Sequence, residues 1–104
     1  MDISEVIKEL NARIKEKYDD FQGSYLYGSY ARGDYHKDSD VDIVLIFGKK
    51  HDYDEEKKVH GVVADLNYKY DVIIVGIPYT KKQLKKNYVF HNEVVNKGIY
   101  YDAA

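Results

Sequence analysis

The sequence predicts an α+β fold, a small mixed β-sheet flanked by helices, in one domain spanning residues 1–104. Three observations carry that reading. Ile3, Val6, Ile7, Leu10 and Ile14 recur at three- and four-residue spacing, the period of an amphipathic helix over residues 2–18. Val41 to Phe47 is a run of strand length, apolar apart from Asp42, as expected of a central strand covered on both faces. Thr80, with Gln83 three residues later, makes a capping box that opens a late helix.

The remaining elements fall in between. Asp2 and Glu5 resemble a capping box at the start of the first helix. Ser24 to Tyr27 reads as a short strand, ended by Gly28 and followed by a helical turn through Ala31. Residues 33–39 read as a polar loop. Residues 52–67 form a second helix with Val59, Val62, Val63 and Leu66 on its apolar side, although Gly61 weakens it. Asp71 to Val75 reads as a third strand, rich in Val and Ile. Pro78 and Thr80 punctuate, a helix runs on towards Asn96, and Lys97-Gly98 stops it. Ile99 to Tyr101 is a closing edge strand. There is no internal repeat, low-complexity tract or linker.

Composition narrows the function classes. Without Cys the chain has no disulfide, thiolate metal site or Cys nucleophile, which suits a reducing cytosol. The longest apolar run, Ile43 to Phe47, is far too short to span a bilayer, and the N-terminus lacks the layout of a signal peptide. A net charge of −2 provides no strong positive field for non-specific nucleic-acid binding.

The chemistry concentrates between Tyr27 and Leu45. A Gly28-Ser29 turn can offer backbone N–H groups and a hydroxyl to phosphate. Asp40 and Asp42 then open the apolar strand. Residues i and i+2 of a strand share a face, roughly 6.6 Å apart at about 3.3 Å rise per residue, so these two carboxylates project together. Hard carboxylates on one face suit magnesium, and a phosphate cradle beside them points to phosphoryl or nucleotidyl transfer. Other motifs fail. Gly28-x-x-x-x-Gly33 is followed by Asp34, where a P-loop needs Lys. Asp38-x-Asp40-x-Asp42 continues with Ile43 and Lys49, where a calcium EF-hand needs Gly and Glu.

At these residues the chain resembles the DNA polymerase β-like nucleotidyltransferase superfamily, whose motif is Gly-Ser, ten residues, then Asp-x-Asp. Gly28, Ser29, Asp40 and Asp42 fit without a gap, and Ala31, Arg32, Gly33 and Ser39 meet its fuller form. In so short a chain the resemblance is greatest to the minimal nucleotidyltransferases, the small MNT proteins encoded beside HEPN-domain proteins. It implies a nucleotidyltransferase fold, ATP as substrate, and two magnesium ions held by Asp40, Asp42 and a third acid. Asp71, opening a neighbouring strand, is the best match for that acid, with Asp65 as competitor. Ser29 and the backbone of the turn would hold the β- and γ-phosphates, with Ser39 beside them. Arg32 would add charge near pyrophosphate, unless it pairs with Asp34 or Asp38 instead.

The same resemblance implies a partner. The MNT protein is the antitoxin of a HEPN ribonuclease toxin and moves AMP from ATP to a tyrosine hydroxyl near the partner's RNase site, in a hetero-oligomer. Two other readings compete. One is a binding module that silences its partner by complex formation. The other is the catalytic half of a two-chain, aminoglycoside-type nucleotidyltransferase. Outside the motif little points to chemistry. His36, His51, His60 and His91 are scattered, and most of the twelve tyrosines suit half-buried packing. Asp52, Asp54, Glu55 and Glu56 suit an acidic first helical turn. Lys81, Lys82, Lys85 and Lys86 make a solvated face that could also meet an acidic partner.

Overall fold

Asp2 accepts a hydrogen bond from the Ser4 amide and starts helix α1 (Ile3–Lys17), which buries Val6, Ile7, Leu10 and Ile14. The computed structural model describes residues 2–104. Strand β1 (Phe21–Tyr27) follows, then a single turn α2 (Ser29–Arg32), strand β2 (Val41–Phe47) and helix α3 (Tyr53–Tyr70). Strand β3 (Ile74–Thr80), short helices α4 (Lys81–Lys86) and α5 (Tyr88–His91), a π-helical turn Asn92–Asn96 and strand β4 (Ile99–Asp102) complete the chain. The sheet order is β3-β2-β1-β4, with β1 antiparallel to both neighbours and β2 parallel to β3. This is the mixed α+β sheet expected.

The central place of β2 explains why its sequence is apolar apart from Asp42. Its odd residues, Val41, Ile43, Leu45 and Phe47, pack with α1 and α3 in one core. Val44 and Ile46 face the other way, into a second cluster with Leu84 of α4, Val94 of the π-helical turn and Phe90. Asp42 lies on that second face, by the alternation of the strand. No helix among the described residues is long and apolar enough to cross a membrane.

Three expectations are corrected. The first strand begins at Phe21 rather than Ser24, because Phe21 pairs with Phe47 across an irregularity in the register at Gly23. The third strand is Ile74–Thr80, not Asp71 to Val75, because α3 runs on past residue 67. Its last turn is held to α1 by the Tyr70 hydroxyl and Lys69, which both donate to Glu9. Asp71 then ends the helix in the left-handed region, φ 53°, with the Val72 amide donating back to Asn67. Pro78 is tolerated inside β3 because β3 is an edge strand. Finally, the helix expected from Thr80 to Asn96 is broken at Asn87. This residue ends α4, and its side chain caps α5 by accepting from the Phe90 amide.

Two predictions arise here. Gly61 lies in mid-α3, exposed, and a Cβ added there meets nothing within 4 Å. Gly61→Ala should stabilise the fold by about 0.5–1 kcal/mol through lower unfolded-chain entropy, read as a higher thermal midpoint. The second concerns the clasp between α1 and α3. The hydrogen bond from Tyr70, then that from Lys69, holds the Glu9 carboxyl at about 2, below its ordinary 4.5. A depressed acid stabilises the fold fully above its unfolded value, and that stability is lost as pH falls towards the folded value. Acid unfolding of Glu9→Gln followed by circular dichroism should therefore show a shallower loss of stability between about pH 4.5 and 2 than wild type.

Candidate active site

The turn at Gly28 and the first acid of β2 are built against each other. Tyr27 pairs in register with Asp42, which brings the end of β1 beside the start of β2. Gly28 adopts φ 74° and ψ −152°, a conformation open in practice only to glycine. A Cβ at this position would collide with the Asp42 carboxylate. The carboxylate thus lies directly on the bare backbone of the turn. Gly28 then starts α2, its carbonyl accepting from the Ala31 and Arg32 amides, and Gly33 closes the turn at φ 85° by donating to the Ser29 carbonyl at 2.9 Å.

Asp42 is half-buried and Asp40 exposed. Burial pushes the Asp42 carboxyl above its ordinary value, the Asp40 charge pushes it the same way, and the Arg32 guanidinium opposes both. Arg32 therefore acts on Asp42, and it also bonds to Asp34 at 3.2 Å and approaches Glu93 of the π-helical turn at 3.8 Å. The alternative partner raised by the sequence, Asp34, is real, and it coexists with a place near Asp42. Two neighbouring like charges, one partly desolvated, are the setting that a hard divalent cation relieves. The donor set fits magnesium, which is commonly held by one or two carboxylates plus substrate phosphates.

Not every expected residue joins this pair. Among the described residues no group of three or more Asp, Glu, His or Cys side chains is placed to hold a metal ion. Asp71 is an exposed helix stop, three residues ahead of β3, and lines a cavity with Asp38, Ser39 and Tyr30. Its expected place at the head of a strand is lost because α3 continues to Tyr70. Asp65 is exposed on α3. The Ser39 hydroxyl accepts from the His36 amide at 3.0 Å, while the Ser39 amide donates to the His36 carbonyl, so Ser39 closes the turn that leads into Asp40.

Sequence reasoning missed the surroundings of Asp42. Tyr27 sits beside it, and burial first, then the Asp42 charge, raises the Tyr27 hydroxyl above its ordinary value. Phe90 packs edge-on against Tyr27 at 5.4 Å and near Tyr79 at 5.7 Å, continuing the aromatic contacts of Tyr27 away from the acid. Val75 is the register partner of Asp42 on β3, and it and Ile73 are exposed apolar side chains. Tyr27, next to the motif, was the one available signal, whereas Phe90 and Glu93 reach the site only through tertiary packing.

A Methanocaldococcus jannaschii protein designated a protein adenylyltransferase is 36% identical over 103 residues, covering 95% of this chain and 98% of that one. A solved toxin–antitoxin structure with AMP-PNP superposes with a TM-score of 0.63 at 20% identity, over 93% of this chain and 72% of that one. A chain from the complex of tri-AMPylated Shewanella oneidensis HEPN toxin with MNT antitoxin superposes with a TM-score of 0.54 at 18% identity, over 93% and 71% of the two chains. Residues 7–101, which hold both the glycine turn and the paired acids, match the nucleotidyltransferase domain family, and this chain belongs to it.

Proposed function

We propose that this protein is the antitoxin of a HEPN ribonuclease toxin and transfers AMP from ATP to a tyrosine hydroxyl of that partner. The observation that carries the reading is the Asp42 carboxylate seated on the backbone of Gly28, beside Asp40. A phosphate-binding turn and a metal-binding acid pair are thereby joined in one unit. The relatives support a protein as the acceptor: one is designated a protein adenylyltransferase, and a structural neighbour comes from a complex with an AMPylated HEPN toxin.

On this reading Asp40 and Asp42 would hold magnesium, which would supply neutralisation of the charge developing on the phosphoryl oxygens. Ser29 and the turn's backbone orient the β- and γ-phosphates. Arg32 exchanges its contact with Glu93 for the pyrophosphate. The tyrosine oxygen forms the new bond to the α-phosphorus, the bond from that phosphorus to the bridging oxygen breaks, and pyrophosphate leaves with the electron pair. The phenol proton passes to solvent at the exposed mouth. Asp71 has no assigned part in holding the metal, since the structure does not gather it with the pair.

A second reading, silencing by binding alone, is favoured by one observation: among the described residues no group of three or more Asp, Glu, His or Cys side chains is placed to hold a metal ion. Intact-mass spectrometry of a co-purified HEPN partner separates the two. Incubation with ATP and magnesium should add AMP to a partner tyrosine, and the partner's RNase activity should stay low after this protein is removed. A partner silenced only while bound, with no gain in mass, would leave the binding reading standing.

A further inference from the structure

The end of the sheet opposite Asp42 carries a second charged feature. Because β2 and β3 run parallel and finish together, with Phe47 level with Thr80, the segments that follow them emerge side by side. Lys49 and Lys50 follow β2, while Lys81, Lys82 and Lys86 lie on α4, and the five line one cleft of about 440 Å³ with Gln22. None of these lysines is in an ion pair among the described residues, where Lys69 and Lys97 are the lysines that are paired. Of the nearby carboxylates, Asp20 is already engaged by His51 and by the Lys49 amide. The whole chain has a net charge of −2, so five unpaired cations in one cleft are a local reversal of sign.

Gln22 adds an independent sign of a missing ligand. Its Oε1 atom is buried without a hydrogen-bond partner. A buried acceptor left unsatisfied is costly, so a turn of the Gln22 side chain towards the cleft it lines would let it take a donor beside the negative charge that the lysines call for. The start of α4 is not the source of either demand. Thr80 and Gln83 cap each other there, with the Gln83 amide donating to the Thr80 hydroxyl at 3.1 Å and the Thr80 amide to Gln83 at 2.9 Å.

We propose that this cleft seats an acidic, carboxylate-rich segment of a protein partner. Side-chain carboxylates would meet the lysines, and a backbone N–H would meet Gln22. A nucleic acid fits less well. The one aromatic residue lining the cleft, Phe47, is 2% exposed and offers no ring for base stacking, and the net negative chain repels a long polyanion. The cleft lies about 17 Å along β2 from Asp42, at about 3.3 Å per residue, so a bound segment would anchor the partner without covering the acid pair. The inference needs a protein partner but not AMP transfer.

Fluorescence anisotropy at low salt tests it with labelled hexaglutamate, hexaglutamine and hexauridylate on the full chain. Hexaglutamate should bind at least about tenfold tighter than hexaglutamine. The variant Lys49→Gln/Lys81→Gln/Lys86→Gln should lose about tenfold in hexaglutamate affinity, while Lys8→Gln/Lys57→Gln/Lys58→Gln, with the same charge change elsewhere, should stay within about twofold. Amide chemical-shift mapping on wild type, which needs no variant to fold, should place the hexaglutamate shifts on Gly48 to Lys50 and Lys81 to Lys86. Equal loss in both variants, tighter binding of hexauridylate, or shifts centred elsewhere would overturn the proposal.

Discussion

Asp42→Asn and Asp40→Asn are each expected to lower AMP transfer about a thousandfold, the rate equivalent of several kcal/mol of lost charge stabilisation in the transition state. The fold should not suffer. Burial first, and then Asp40, raises the Asp42 carboxyl, so its ionised form costs stability in the folded chain. A raised acid regains that stability as pH falls through its folded value; a neutral Asn regains it at every pH. Asp42→Asn should therefore be inactive with a thermal midpoint at pH 7 equal to wild type or higher. Single-turnover transfer assays and a melting curve on the same preparation check both halves. Asp71→Asn, which removes an acid standing outside the pair, serves as the comparison and should transfer AMP near the wild-type rate. Wild-type rates in both Asp40→Asn and Asp42→Asn would remove the metal assignment.

Gly28→Ala is expected to do damage of another kind. At φ 74° and ψ −152° an alanine is strained by about 1–3 kcal/mol. Its Cβ would also meet the Asp42 carboxylate, which has to move away from the turn. Displacing a reacting group by about 1 Å costs on the order of a hundredfold in rate. Gly28→Ala should thus lose both activity and stability, whereas Asp42→Asn loses activity alone. Gly33→Ala separates conformation from contact, because Gly33 also has positive φ, 85°, but open space where its Cβ would lie. It should destabilise with a smaller loss of transfer, and denaturant unfolding beside transfer rates distinguishes the three variants.

The part of the site legible in the sequence is the part made by neighbours along the chain. Gly28, Ser29, Asp40 and Asp42 are joined by one strand-to-strand connection, and period-2 alternation places the two acids together without knowledge of the rest. β2 was legible because both its faces are buried, leaving Ile43 to Phe47 with no polar interruption after Asp42. The third strand was misplaced for a physical reason. Residues 67–71, Asn-Tyr-Lys-Tyr-Asp, carry no helical apolar stripe, and what keeps them helical is a distant clasp of Tyr70 and Lys69 on Glu9. The break at Asn87 was readable in principle, since Asn is a favoured N-cap, but the lysine-rich run before it and the apolar residues after it resemble one helix. The lysine cleft joins residues about thirty positions apart, and only the parallel pairing of β2 with β3 brings them together.

That pairing has a dynamic consequence. β2 is hydrogen-bonded on both sides and covered on both faces, so its amides open only with the whole fold, and Asp42 is mounted on the last segment to yield. The helices that face outward from the second core, α4 and α5, are six and four residues long and can fray separately. The surface made by α4 and α5 can therefore breathe on a fast timescale while Asp42 stays seated on the glycine turn.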